Sequence, residues 1–252
     1  MDESAVAPAR QLIALLWRHR VPPRVNGRGP KQTVSVDAVV DAAIALADRD
    51  GYAKVSIRAV AAELSLRPMS LYTYVPSKDV LVALMVDAVA AQDAPIAAEL
   101  SVRDRMAAIA GRIRAELIAH PWLLEVSAWR LVLGPGRTRR YEQQLAALEG
   151  VGLSDLAMDR VIAVLSEFAT GNAQVAVSAQ RAGRITSDTS WWEEHGPLLA
   201  SVMPESEFPL STRVGAAVGE LYHAPADPDG EFEYGLARLL DGILGKLPEP
   251  GR

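Results

Sequence analysis

No cysteine occurs in the 252 residues, which excludes disulfide scaffolds, thiolate metal sites and cysteine nucleophiles. The four histidines, His19, His120, His195 and His223, are scattered. None stands two to four residues from another, as a histidine metal site would use, so no metal and no other cofactor is expected. No uninterrupted apolar run approaches the roughly eighteen residues of a membrane span. The piece Leu12–Trp17 is short and is followed by Arg18, His19 and Arg20, whereas a signal peptide carries its charges ahead of its apolar core. The expected location is cytoplasmic, with no membrane partner. Strand signals are nearly missing too, because β-branched residues stand singly inside Ala/Leu-rich periods. There is no nucleophile motif, phosphate-cradling loop or paired His/carboxylate spacing, and Gly134-Pro135-Gly136 reads as a loop only.

What is present is ample apolar material. Half the residues are hydrophobic, enough for one large domain or two unequal ones. The net charge of −5 disfavours nucleic acid at first sight, but its distribution is uneven. Residues 1–80 hold eleven Lys/Arg against eight Asp/Glu, a net +3, while the remainder holds 15 against 23, a net −8. A mildly basic front on an acidic body suits a protein that touches phosphates with one end only.

Prolines, glycines and an asparagine between positions 22 and 30 forbid regular structure there. With Arg18, Arg20, Arg24, Arg28 and Lys31, residues 1–33 read as a flexible basic arm, of the kind that lies in a minor groove or merely solubilises. Ser35 is a plausible N-cap, and Val36, Val39, Val40, Ala43, Ile44 and Ala47 then recur at helical spacing up to Asp50-Gly51.

The next stretch, SIRAVAAELSLRPMSLYTYVPSK over 56–78, predicts two short helices joined by a tight turn. Val60, Ala61, Leu64, Leu66, Leu71 and Val75 supply the apolar contacts of two steeply crossing helices, with Ala61 small at the crossing. Pro68 suits the first helical position, where its missing N–H costs nothing. The second helix, about 68–75, then presents Arg67, Met69, Ser70, Tyr72, Thr73 and Tyr74, groups able to bond base edges, touch thymine methyls or reach phosphates. This is the pattern of a helix-turn-helix. A further helix follows over 77–94, N-capped by Ser77, with Lys78 at its start where it would face a phosphate.

The remainder reads as all-helical, with candidates over 101–119, 121–132, 137–150, 154–183, 191–202, 210–222 and 231–246. Small residues punctuate two of them: Ala163, Ala169, Gly171, Ala173 and Ala176, then Gly235, Ala237, Gly242 and Gly245. They allow close approach of helices, in a dimer interface or in an ordinary core. Trp122, Trp129, Phe168, Trp191 and Trp192, with Arg130, Tyr141, Glu167 and Asn172, are candidates for an aromatic pocket with polar anchors, or for core filling.

Two segments carry a family resemblance: VDAVVDAAIALADRDGYAKVSIRAVAAELSLRPMSLYTYVPSKDVLVALMVDA near the front and EFEYGLARLLDGI near the end. The chain resembles TetR-family transcriptional regulators, in particular the tetracycline-repressor-like subgroup, and the intervening AHPWLLEVSAWRLVLGPGRTRRYEQQLAALEGVGLS is similar as well. The resemblance implies an all-α fold, with a three-helix DNA-binding head at 34–79 and a larger helical ligand-binding and dimerisation body at 80–248. It implies that Ser56 contacts the DNA backbone and Arg58 a base edge, and that Arg67, Pro68, Met69, Ser70, Thr73 and Tyr74 approach bases. Tyr72 and Lys78 would hold phosphates. Two positions depart from the pattern. Ser65 stands where the family usually has glycine, and Val132 falls where a metal–tetracycline ligand histidine is expected, which disfavours tetracycline and a metal. The expected function is a homodimeric repressor on a near-palindromic operator, paired through helices near 154–183 and 231–246. A small-molecule effector of unknown identity would release it. The alternatives are an architectural DNA-binding protein without an effector and, less in keeping with the motifs, an all-α enzyme.

Overall fold

Each expected cap produces a helix in the computed structural model, which describes residues 3–20, 34–126 and 132–245. Eleven α-helices and no strand occur among the described residues. They are α1 (Glu3–Leu16), α2 (Val36–Asp50), α3 (Ile57–Glu63), α4 (Pro68–Leu71), α5 (Lys78–Ala90) and α6 (Val102–Ala119). Then follow α7 (Pro135–Leu148), α8 (Asp155–Gly183), α9 (Asp188–Val202), α10 (Pro209–Tyr222) and α11 (Pro228–Leu244). The chain divides into two compact units, residues 1–105 with 119–162, and 106–118 with 163–252.

In the first unit the side chains of Ser35, Ser56 and Ser77 accept from the backbone N–H groups of Ala38, Ala59 and Val80. Each satisfies a donor that a helix start would otherwise leave orphaned. The apolar faces of α2 to α5 then close on one core, in which Val39, Ala43, Val60, Ala61, Leu71, Val75 and Leu81 are buried. Ala61 sits at the α3–α4 crossing without exposed surface, as its size allows.

Three expectations need correction. Residues 3–16 are not irregular: they form α1, whose Leu16 is buried in the head core and whose following Trp17 donates Nε1–H to the Leu133 carbonyl at 2.8 Å. Apolar Leu12, Leu15 and Leu16 supply a face that packs on α5. The remaining arm residues 21–33 lie outside the described residues. The helix expected over 121–132 is only a short 3-10 turn, Pro121–Glu125, and residues 127–131 also lie outside the described residues. Finally α5 ends at Ala90, before Pro95, because Ala91 turns the chain.

The second unit carries α9, α10, α11 and most of α8. Its small residues divide between two roles. Ala169, Ala173 and Ala176 are buried, and Gly235 of α11 lies against Phe168 so closely that a Cβ there would stand 2.8 Å from the ring. Val164, Gly171 and Val175 occupy another face of α8 and are exposed. By length and composition α8 could cross a membrane, with an 18-residue window of mean hydropathy 1.2. Its apolar content reflects the buried stripe Leu165, Ala169, Ala173, Ala176 and Val177 together with this second, exposed stripe.

Candidate nucleic-acid interface

The reading surface is built from the turn outward. Leu64 ends α3, and Ser65 takes a left-handed backbone with φ 55°, the conformation for which glycine is the usual choice. Leu66 N–H then bonds back to the Ala61 carbonyl at 2.8 Å, which closes the turn. Pro68 starts α4, a single turn that buries Leu71 and leaves Arg67, Pro68, Met69, Ser70, Tyr72 and Thr73 exposed. Met69 is 76% exposed and Tyr72 47%, so both side chains are open to solvent. Thr73 Oγ1 donates to the Ser70 carbonyl at 2.7 Å, so its lone pairs remain as acceptors. Ser56 Oγ is engaged in capping α3, while Arg58 projects from the first turn of α3 into solvent.

Tyr74 is placed differently from expectation. It is 8% exposed and belongs to the head core beside Leu71 and Val75. The spacing of α4 and the turn after it carries position 74 back to the core side, so this ring holds the head together rather than approaching bases.

The charged groups differ in their partners. Arg49 bonds both Asp50 and Glu63, and Arg18 bonds Asp37, which His19 also contacts at 3.1 Å. These carboxylates, Asp50 foremost, hold the Arg49 guanidinium further in its charged form. Lys54, Arg58, Arg67 and Lys78 form no ion pair among the described residues. The ammonium of Lys78 instead lies over the ring of Tyr52, 4.4 Å from its centroid. Tyr52 escaped the sequence reading because its aromatic character alone does not reveal what it faces.

A second cluster that the sequence left unmarked joins the head to the turn after α6. Asp48 of α2 accepts from Trp122 Nε1 at 2.8 Å, and His120 Nδ1 lies 2.9 Å from the same carboxylate oxygen. Trp122, a candidate for a ligand pocket or for core filling, is 1% exposed and fills the head core. Val132 packs on that core as well. Further along, the nearly buried Asp87 of α5 accepts the Arg137 N–H at 2.9 Å, capping the start of α7, and Arg140 pairs with Asp93 at 3.2 Å.

The other pocket candidates are used in separate ways. Trp129 and Arg130 lie outside the described residues. Tyr141 donates to Asp159 at 2.9 Å, and that hydrogen bond, with burial and the carboxylate charge, raises its phenol above the usual value. Glu167 is exposed. Phe168 stacks on Phe232, centroids 5.4 Å apart, and Arg114 lies over the Phe232 ring at 4.9 Å. Asn172 accepts from Arg114 at 2.5 Å and donates to the Pro228 carbonyl at 2.9 Å, while Arg114 also bonds Asp229. Among the described residues, this Arg114–Asn172–Phe168–Phe232 group brings two of the candidates, Phe168 and Asn172, to a half-buried cation. On α9, Trp191 stacks on His195 with centroids 4.3 Å apart, and with Trp192, Leu198, Leu199 and Val202 they line a shallow apolar groove.

Comparison with known proteins bears on both ends of the chain. Residues 39–85 match the family described as bacterial regulatory proteins, tetR family, and residues 95–247 match the tetracyclin repressor-like C-terminal domain. The chain is 35% identical to the HTH-type transcriptional repressor DrrR1 of Streptomyces coeruleorubidus over 248 residues, covering 96% of this chain and 88% of that one. An HTH-type transcriptional regulator of Saccharopolyspora erythraea is 32% identical over 214 residues, 84% of this chain and 86% of its own. Among solved structures, Streptomyces coelicolor ActR in complex with actinorhodin superposes with a TM-score of 0.71 at 26% identity, covering 86% of this chain and 98% of ActR. Its complex with (S)-DNPA gives 0.69 at 25% identity, covering 85% and 98%. With both family matches, the head geometry and these relatives in agreement, the chain belongs to the TetR family of bacterial transcriptional regulators.

Proposed function

We propose that this protein is an effector-released repressor that binds a near-palindromic operator as a homodimer. In this reading residues 34–79 contact DNA and residues 80–248 bind the effector and pair the two copies. The observation that carries it is the set of unpaired cations on the head. Arg49 is neutralised by Asp50 and Glu63, whereas Lys54, Arg58, Arg67 and Lys78, the other basic residues of 34–79, form no ion pair among the described residues and stay available for phosphates and base edges. An unpaired cation set around an exposed reading helix supplies both parts of DNA recognition, backbone attraction and base readout.

Pairing of two copies would place the α4 segments in successive major grooves, about 34–36 Å apart. The exposed Val164, Gly171 and Val175 of α8 and Tyr234 of α11 support pairing through those helices. Release requires that an effector bind a form of the dimer in which this spacing fails. Helix α5 is suited to carry the change, because it packs on α2 and on α7, whose start it caps through Asp87. The effector remains unidentified in chemistry; ActR, which binds actinorhodin, supports a small organic ligand.

The test is selection of bound duplexes from a random pool by the purified protein, repeated with Arg58→Ala and Arg67→Ala. Enrichment of an inverted repeat by the wild type, lost or relaxed in the variants, is the expected result. A pool that stays random at moderate salt would overturn the repressor reading.

A further inference from the structure

We infer that Tyr52 is a positioning residue for the operator-backbone contact, holding the ammonium of Lys78 where a DNA phosphate will meet it. The inference rests on the DNA-binding reading and adds to it a residue outside the helix-turn-helix. It follows from how the two groups are built into the head. Gly51 adopts φ +87°, ending α2 and turning the chain into the 3-10 segment Tyr52–Lys54. The Tyr52 ring is thereby half-buried against the head core, which fixes its plane, while its outer face is left for Lys78.

Lys78 needs such a partner. It is the first residue of α5, at the end where the helix dipole is positive, so its charge there works against the helix rather than for it. Asp79 follows it in that turn, is exposed and forms no ion pair with it. What holds the ammonium is the negative face of the ring, at 4.4 Å. A lysine already held loses little further rotamer freedom when a phosphate arrives, whereas an unrestrained one would lose most of it on binding. The ammonium and the first N–H groups of α5 then present one positive site to the same phosphate.

The experiment uses the full chain and a duplex that the wild type selects from the random pool. Affinity is measured across a salt series for Tyr52→Phe, Tyr52→Leu, Lys78→Gln and the double variant Tyr52→Leu/Lys78→Gln. Tyr52→Phe is expected to match the wild type, since the ring is what matters. Lys78→Gln should weaken binding and flatten the slope of log affinity against log salt by about 0.9, one phosphate contact. Tyr52→Leu should weaken binding roughly three-fold, the scale of an exposed cation–π contact. It should flatten the slope in part and add nothing further in the Lys78→Gln background. Should Tyr52→Leu fail to fold, fluorinated phenylalanines at position 52 keep the shape while withdrawing the ring's negative face, and affinity should fall step by step with fluorination. Equal weakening by Tyr52→Leu with and without Lys78, or indifference to fluorination, would overturn the inference while leaving the repressor reading intact. A wild type that selects no duplex would overturn both.

Discussion

The indole N–H of Trp122 donates to Asp48 Oδ1 at 2.8 Å, tying a nearly inaccessible tryptophan in the turn after α6 to a carboxylate on the first helix of the head. Asp48→Ala leaves that N–H without an acceptor, and the expected cost is about 1–3 kcal/mol of stability. A chain of this size should then melt lower by roughly 2–4 °C per kcal/mol. Asp48→Asn keeps an acceptor for Trp122 and should lose less. Thermal denaturation of the two variants checks the order; equal melting temperatures would show that the bond contributes nothing.

Gly136 leaves no room for a side chain. A Cβ there would stand 2.1 Å from the Asp87 carbonyl oxygen, and one at Gly134 would stand 2.2 Å from the Asp87 carboxyl carbon. Gly136→Ala meets rigid backbone and is expected to destabilise by about 2 kcal/mol or more. Gly134→Ala meets a side chain, so pairing it with Asp87→Ala should recover part of the loss. By contrast Gly111→Ala, in the middle of α6 with nothing within 4 Å, should stabilise by about 0.5–1 kcal/mol. Denaturant unfolding of the set distinguishes these signs.

Ser65 carries a backbone that glycine would take without strain, at φ 55°. Ser65→Gly exchanges about 1–2 kcal/mol of left-handed strain for about 0.5–1 kcal/mol of chain entropy, so a small net gain in stability is expected. Ser65→Val should lose stability. The turn geometry does not change in either case, so operator affinity per folded molecule should hold in the glycine variant.

Tyr74 and Arg58 separate folding from recognition. Tyr74→Ala empties a core position and should cost roughly 3–5 kcal/mol, with DNA binding lost because the head opens. Arg58→Ala, at an exposed and unpaired site, should leave the melting temperature within experimental scatter while it relaxes base preference. Circular dichroism melts beside binding titrations would show the two patterns; a Tyr74→Ala protein that folds normally and fails only on DNA would return this ring to the reading face.

Asp37 gives a pH signature. Burial raises its carboxyl, but the hydrogen bonds and charges of Arg18 and His19 outweigh that and hold it below the usual value. A carboxyl depressed in the folded state adds stability that is fully present above the unfolded value, about pH 4, and is lost as pH falls through the folded one. The pair is partly solvent-exposed, so the effect should stay below about 1 kcal/mol. The melting-temperature gap between wild type and Asp37→Asn should therefore shrink as the pH falls below about pH 4.

The all-α class, the helix-turn-helix, the start of each head helix and the exposed character of Arg67, Met69 and Tyr72 were legible from residue order. Caps, turns and apolar periods are local, and their causes lie within a few residues of one another. The arm was misread for a different reason. Its apolar residues 12–16 become a helix once α5 offers them a face, and no local signal announces that face. The aromatic candidates were left with two roles for a similar reason, since aromatic type does not tell Trp122, locked onto Asp48, from Trp191, stacked on His195.

By itself the sequence determined that this chain folds into helices, that its front end is a DNA-reading head and that it belongs among the TetR regulators. Those conclusions depend on spacings that hold wherever the helices end up. Only the tertiary structure decided that Tyr74 supports the core, that Tyr52 faces Lys78 and that Asp48 and Asp87 hold the turn after α6 and the start of α7. Each of these joins groups that are from 26 to 74 residues apart or depends on which side of a one-turn helix meets a neighbour. Local pattern limits such pairings, and packing in three dimensions selects among them.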